Sequence, residues 1–319
     1  MQNTQDQHDV SNIFSFLFIS LCTIACTEME KDLDTTTLET PACLDSNTDQ
    51  TLRWQRLGSP ITSFENNQFA PALLSYEEQL WLYFSVRESL RDTVYLITTQ
   101  DGESWSEPIP IHDFDNFSEL KHLNIRTREN TFFAMIGGGR IGSATSDDGI
   151  NWSITGTQII PTVDFDMYGQ LYPAQNNNGD QLWYSGFDGT TFAIGRATLS
   201  NDQWIPQGPI IEPVVNERYR NTAVAQSSIY ESDDSIMMWY GGYDTSQTDP
   251  GPWRIMTAHS VDGEIWSTHA LALDISPSGE EAWSVREPSV AMWNGKLWMA
   301  YIAMGDDGAY RLRLANCGN

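Results

Sequence analysis

The chain has 319 residues, of which 12% are aromatic, and carries 43 Asp and Glu against 17 Lys and Arg, a formal charge of −26. That balance speaks against a nucleic-acid partner, because phosphate binding needs a concentrated positive surface, and against direct docking on anionic lipid. A solvated acidic surface that keeps an exported protein soluble is the plainer account.

Residues 1–26 open the chain with an apolar run, Ile13 to Ile24, too short to span a bilayer but suited to a signal-peptide core. It ends Thr23-Ile24-Ala25-Cys26, which resembles the lipobox of bacterial lipoproteins, although Thr23 stands where Leu is usual. The resemblance implies an exported periplasmic or cell-surface lipoprotein that meets the membrane only through lipid on Cys26. Residues 27–50 are rich in Thr, Asp and Glu, poor in apolar side chains, and read as a flexible acidic tether. Cys43 lies in the tether and Cys317 near the last residue. In an oxidising compartment they either form a disulfide that pins the chain ends together or remain two unrelated thiols.

Residues 51–319 are organised by a repeated heptad, [Ser/Thr]-x-Asp-Gly-x-x-Trp. It occurs at Thr99–Trp105, Ser146–Trp152 and Ser260–Trp266, with a decayed copy at Thr198–Trp204. Asp-Gly is a hairpin signal: Gly accepts positive φ, and the Asp carboxylate can take hydrogen bonds from the turn's own N–H groups. The Trp, at a fixed offset on the returning strand, is large enough to wedge between sheets. An aromatic strand precedes each copy: Leu80–Ser85, Thr131–Ile136, Leu182–Gly186 and Met237–Gly242. A fifth such strand, Lys296–Tyr301, leads to a unit that ends at Leu314 without its heptad. The missing strand is supplied from the other end, where Leu52-Arg53-Trp54-Gln55 matches the segment that follows each heptad. The Trp positions then recur roughly every fifty residues, which predicts a single all-β domain, a five-bladed β-propeller closed by pairing of its N-terminal strand with the C-terminal blade.

In a propeller the innermost strands line a channel, and their ends on one face form the ligand site. Ser284–Trp293 is the best-formed inner strand. Alignment on the aromatic strands puts Ala70, Lys121-His122, Tyr172 and Arg220-Asn221-Thr222 at the level of Glu287. With this inner strand, Arg286-Glu287-Pro288-Ser289-Val290, the chain resembles five-bladed propeller glycosidases of the arabinanase and β-xylosidase type and of the invertase type. Its Asp-Gly-x-x-Trp turns are similar to the Asp boxes of sialidases. The resemblance implies a carbohydrate in the central funnel and hydrolysis by two carboxyl groups, one protonating the leaving oxygen and the other acting as base or nucleophile.

Glu287 alone matches the family's acid slots, since Ala70, His122 and Tyr172 stand in others. Its candidate partner is Asp164 or Asp166, beside aromatics that could raise one carboxyl; the alternative is that both are solvated loop acids. Lys121, Arg220 and Arg286 crowd the same level of an acidic protein. They suit an acidic sugar held by bidentate hydrogen bonds, or else pair with channel carboxylates. Tyr172 and Asn221 are candidates for orienting the sugar, and His122 is either an acid–base group or structural. No His or Cys spacing marks a metal site and no cofactor is expected, although the resemblance leaves room for calcium in the channel. A monomer is expected. A non-catalytic glycan-binding protein that kept the fold and lost the acids is the second reading, and a scaffold for protein interaction the third.

Overall fold

The computed structural model describes residues 54–61, 64, 67–88, 91–115, 117, 122–161, 164–232, 234–246 and 253–318. The expectations for Cys26, Cys43 and Lys121 fall outside these. Strand β1 (Gln55–Gly58) is followed by five groups. Blade 1 holds β2 (Gln68–Tyr76), β3 (Gln79–Glu88), β4 (Arg91–Thr99) and β5 (Ile109–Ile111). Blade 2 holds β6 (His122–Arg128), β7 (Thr131–Gly137), β8 (Ile141–Ser146) and β9 (Ser153–Ile159). Blade 3 holds β10 (Tyr172–Gln175), β11 (Gln181–Phe187), β12 (Phe192–Ser200) and β13 (Gln203–Ile211). Blade 4 holds β14 (Ala223–Glu231), β15 (Ile236–Tyr243), β16 (Trp253–Ser260) and β17 (Ser267–Leu273). Blade 5 holds β18 (Ser284–Trp293), β19 (Lys296–Met304) and β20 (Tyr310–Cys317).

Each group is an antiparallel meander, and together the five four-stranded sheets form a five-bladed propeller. β1 is the outer strand of blade 5, pairing with β20 so that Gln55 faces Asn316 and Arg56 faces Ala315. Arg56 adds an ion pair to Glu281 at 3.0 Å. Trp54 is buried edge-on against Trp239 at 6.2 Å, the position the heptad Trp takes elsewhere. Cys317 is 2% exposed and disulfide-bonded.

Apolar faces of successive blades meet in separate clusters, such as Tyr83, Phe132 and Trp152 between blades 1 and 2, or Trp183, Tyr240 and Trp266 between blades 3 and 4. The inner strands have no strand neighbour on the channel side, so their edge N–H groups need other acceptors. Side chains of adjacent blades supply them. Leu73 N–H donates to Ser289 Oγ (2.8 Å), Val290 N–H to Ser228 Oγ (3.1 Å) and Gln175 N–H to Asn124 Oδ1 (3.0 Å). The channel is thus stitched blade to blade by side chains that lie outside the heptads.

The heptad turns form as their chemistry predicts. Asp101 Oδ1 accepts from the N–H groups of Glu103 (2.8 Å) and Ser104 (2.7 Å), and Thr99 Oγ1 accepts from Gly102 N–H (2.9 Å). Those backbone donors hold the Asp101 carboxyl at about 2, and the same bonds lower Asp148 and Asp262.

The glycine has a second role that the turn alone does not reveal. A Cβ on Gly149 would lie 2.7 Å from Tyr83 Oη and 2.8 Å from the Trp81 ring. On Gly263 it would lie 2.5 Å from the Trp183 ring, and on Gly102 2.5 Å from the Trp298 ring. Each turn therefore seats on an aromatic of the preceding blade. The Gly149 carbonyl accepts from both Trp152 Nε1 (3.0 Å) and Tyr83 Oη (2.9 Å), joining blades 1 and 2. Gly149→Ala, at φ 71 with no room for a methyl, is expected to cost roughly 3 kcal/mol from left-handed strain plus overpacking. Urea unfolding measures it; a loss below about 1 kcal/mol would show that the seat is not tight.

Candidate functional site

Three inner strands carry a bulge at the same level. Pairing jumps between Phe69 and Ala72 in β2, between Ala225 and Ser228 in β14, and between Arg286 and Ser289 in β18. Within each bulge one non-glycine residue is left-handed: Ala70 (φ 51), Gln226 (φ 61) and Glu287 (φ 55). Such strain costs of order 1–2 kcal/mol per residue and persists where neighbours hold it. Here Ala70 N–H donates to Glu287 Oε2 (2.6 Å), and Gln226 N–H donates to Ser185 Oγ (2.7 Å). The bulges turn side chains to the channel axis, where His122 and Tyr172, each the first residue of its inner strand, complete the level.

These residues line a cavity of about 40 Å³, with Asn124, Ser227 and Ser289 among its polar walls. The volume suits a water or two. Glu287, 5% exposed, is the one carboxylate among the described lining residues. Its Oε1 accepts from Gln226 Nε2 (3.3 Å) and lies 3.4 Å from Arg286 Nε. Burial raises the carboxyl above its ordinary range, opposed by Arg286 and the Ala70 N–H group. Burial also pushes the Tyr172 hydroxyl up to about 12. His122 falls to about 3, through burial first and then the charges of Arg286 and Arg87. At neutral pH His122 is therefore an uncharged imidazole, a hydrogen-bonding group and not a proton donor of acid strength. Its ring lies 3.9 Å from that of Tyr172.

One side of the mouth is a ladder of alternating cations and rings. Arg286 lies over Tyr310 (4.6 Å), Tyr310 against Phe69 (5.0 Å), and Arg87 over Phe69 (5.3 Å). Asp92, 3% exposed, accepts from Arg87 Nε at 2.9 Å and fixes that guanidinium.

The sequence placed Glu287, Arg286, Tyr172 and His122 at this level, and the structure brings them together. It does not bring Asp164 or Asp166. Asp164 is exposed, and Asp166 is fully buried between blades 2 and 3, accepting from Tyr184 Oη at 3.0 Å. Arg220 and Asn221 belong to the connection before β14. Arg220 is held by Glu217 at 2.6 Å, and Asn221 Oδ1 accepts from Thr222 Oγ1 at 2.7 Å. The fourth slot is Gln226. A Pro follows Ala70, Tyr172 and Glu287, but Ser227 follows Gln226, so the mark that could have aligned this blade is missing. Phe69 stands beside Ala70 at the start of β2, as its spacing implied, whereas Arg87 and Tyr310 were not foreseen, because they come from the ends of β3 and β20. Among the described residues no group of three or more His, Cys, Asp or Glu gathers as metal ligands.

No family model matches the chain, and no curated protein matches it. Solved structures do. A protein solved as an RGII complex is 11% identical, with a TM-score of 0.68 over 84% of this chain and 92% of that one. A Bacteroides ovatus protein assigned as a glycoside hydrolase is 15% identical, with a TM-score of 0.59 over 86% and 95%. A thermostable family-43 glycoside hydrolase is 13% identical, with a TM-score of 0.60 over 81% and 90%. At such identities the likeness is one of fold.

Proposed function

We propose that the protein is an exported carbohydrate-binding propeller whose channel mouth takes a sugar bearing a negative charge, without the two-carboxylate step of hydrolysis. The observation that carries this is the composition of the channel level: one buried carboxyl, Glu287, stands with Ala70, His122, Tyr172 and Gln226. Glycoside hydrolysis of the usual kind needs a second carboxyl roughly 5–10 Å from the first; the described lining supplies none, and Asp92, whose charge reaches Glu287, lies outside that lining and is held by Arg87.

Arg286, stacked on Tyr310 beside Glu287, offers a guanidinium fork suited to a carboxylate or sulfate on the sugar. The neutral imidazole of His122, the Tyr172 hydroxyl and the Gln226 amide offer directional bonds to hydroxyl groups. The RGII complex of one structural neighbour supports the same class of partner. Export with lipid on Cys26 and a Cys43–Cys317 bond closing the chain ends complete the proposal; a disulfide at Cys317 fits an oxidising compartment.

The test is a glycan array followed by calorimetry, run alongside reducing-sugar release from the same glycans. Binding in the micromolar to millimolar range, about −8 to −4 kcal/mol, without release is the expected result. Sustained release that Glu287→Gln abolishes would restore hydrolysis.

A further inference from the structure

A second row of rings leaves the channel on the side opposite in composition to the arginine ladder. His122 and Tyr172 are in contact at the mouth. Tyr172 lies 6.2 Å edge-on from Phe192, Phe192 lies 4.8 Å from Phe187, and Phe187 lies 6.2 Å from Tyr168. Phe187 and Phe192 are register partners that close the β11–β12 hairpin, so the row crosses blade 3 from its inner strand outward on the face where the site opens. None of the five residues belongs to the fully buried core. His122, Tyr172, Phe192 and Phe187 are each partly exposed, and Tyr168 at the outer end is 60% exposed.

Large rings at a protein surface are usually scattered; a contiguous row joined to a site is a different observation. It is also a held one. The Tyr168 N–H donates to the Phe187 carbonyl (3.1 Å), and the Tyr168 ring rests over Gly189, where a Cβ would come within 2.5 Å of it. The ring is thereby presented to solvent at a fixed place rather than folded inward.

Resting on the reading of the channel mouth as a carbohydrate site, we infer that this row is a track for the continuing chain of an oligosaccharide whose terminal residue sits at Glu287. The ligand class is thus a polymer end and not a free monosaccharide. Each sugar ring has one face of C–H groups that packs on an aromatic face, while its hydroxyl groups stay in water. Tyr, apolar in its body and polar at its tip, suits the wet outer end of such a track. The row is uncharged, so its contribution adds to the charged contact at the mouth without depending on it. Blade 5 provides a control: Trp283 is 40% exposed at the rim but lies off the row.

The experiment is calorimetry of the full chain with two ladders of one to six residues, oligogalacturonides and 1,5-α-L-arabino-oligosaccharides. For at least one ladder affinity is expected to rise with length beyond two residues. Tyr168→Ala is expected to remove about tenfold of that gain while leaving the monosaccharide unchanged, and Trp283→Ala to leave the whole series unchanged. Gly189→Ala, which displaces the Tyr168 ring without deleting it, should reproduce the Tyr168→Ala pattern. Affinity that does not grow with length, growth that survives Tyr168→Ala, or failure of both ladders to bind overturns the track. The two readings fail separately. If Glu287→Gln weakens the monosaccharide while length has no effect, the mouth stands and the track falls. If Glu287→Gln changes nothing while Tyr168→Ala abolishes binding, the track stands and the mouth falls.

Discussion

Trp183→Ala is expected to lower the unfolding free energy by about 3–5 kcal/mol, the range for truncating a fully buried Trp. Trp183 has 0% exposure in β11 and sits edge-on at 6.0 Å from Trp266 of the next blade. Its Nε1–H donates to the Gly263 carbonyl at 2.9 Å, the same oxygen that accepts from Trp266 Nε1 at 3.2 Å. Truncation opens a cavity directly under the Asp262-Gly263 turn and removes one of its two anchors, so blade 3 loses its hold on blade 4. Differential scanning calorimetry should show a midpoint lowered by roughly 10 °C. The heptad Trp105, only half-buried against blade 5, is the comparison. A loss for Trp183→Ala no larger than for Trp105→Ala would mean that blade contacts are not carried by the aromatic of the second strand.

Substitution of Glu287 separates its structural from its binding role. Glu287→Ala strips the acceptor from the buried Ala70 N–H group and leaves Arg286 without its carboxylate. Loss of roughly 3 kcal/mol of stability is expected, since an unpaired buried donor and charge both incur a desolvation penalty. Glu287→Gln keeps an oxygen for Ala70 N–H and is expected to fold, yet to bind the glycan about 10- to 100-fold more weakly, the range for loss of a charged acceptor to which a sugar hydroxyl donates.

The pH dependence gives a second readout. The folded carboxyl is raised above its unfolded value. Its contribution is fully present below the ordinary glutamate range and is lost as pH rises through the elevated folded value. Wild type should therefore lose stability relative to Glu287→Gln over that interval, and the difference should be constant below it. A wild-type curve parallel to that of Glu287→Gln at every pH would show that the carboxyl is already ionised in the folded protein at no cost.

Local and tertiary interactions divide the work of specifying this protein. Asp-Gly followed by Trp three residues on is a local instruction: the carboxylate caps its own backbone, the glycine accepts the turn's φ, and the ring falls on a fixed face of the next strand. Three intact copies of that instruction and a decayed one, with Trp54 standing in for the last, were enough to read the blades and the fold from the chain alone. The spacing also brought Tyr172, His122 and Glu287 to one level, because each opens or lies near the start of an inner strand marked by Pro or an aromatic run.

What the chain by itself could not give was the company those residues keep. Whether an acid in the connection before β10 faces the channel or the space between blades depends on where Tyr184 and Gly186 of another strand leave room, and they take Asp166 inward. Arg87 and Phe69 of blade 1 meet Tyr310 of blade 5, on which Arg286 rests, only because blade 5 closes against blade 1, bringing together residues from opposite ends of the sequence. Short-range hydrogen bonding wrote the turns into the sequence, whereas the mouth of the channel was decided by ring closure, a property of the whole chain.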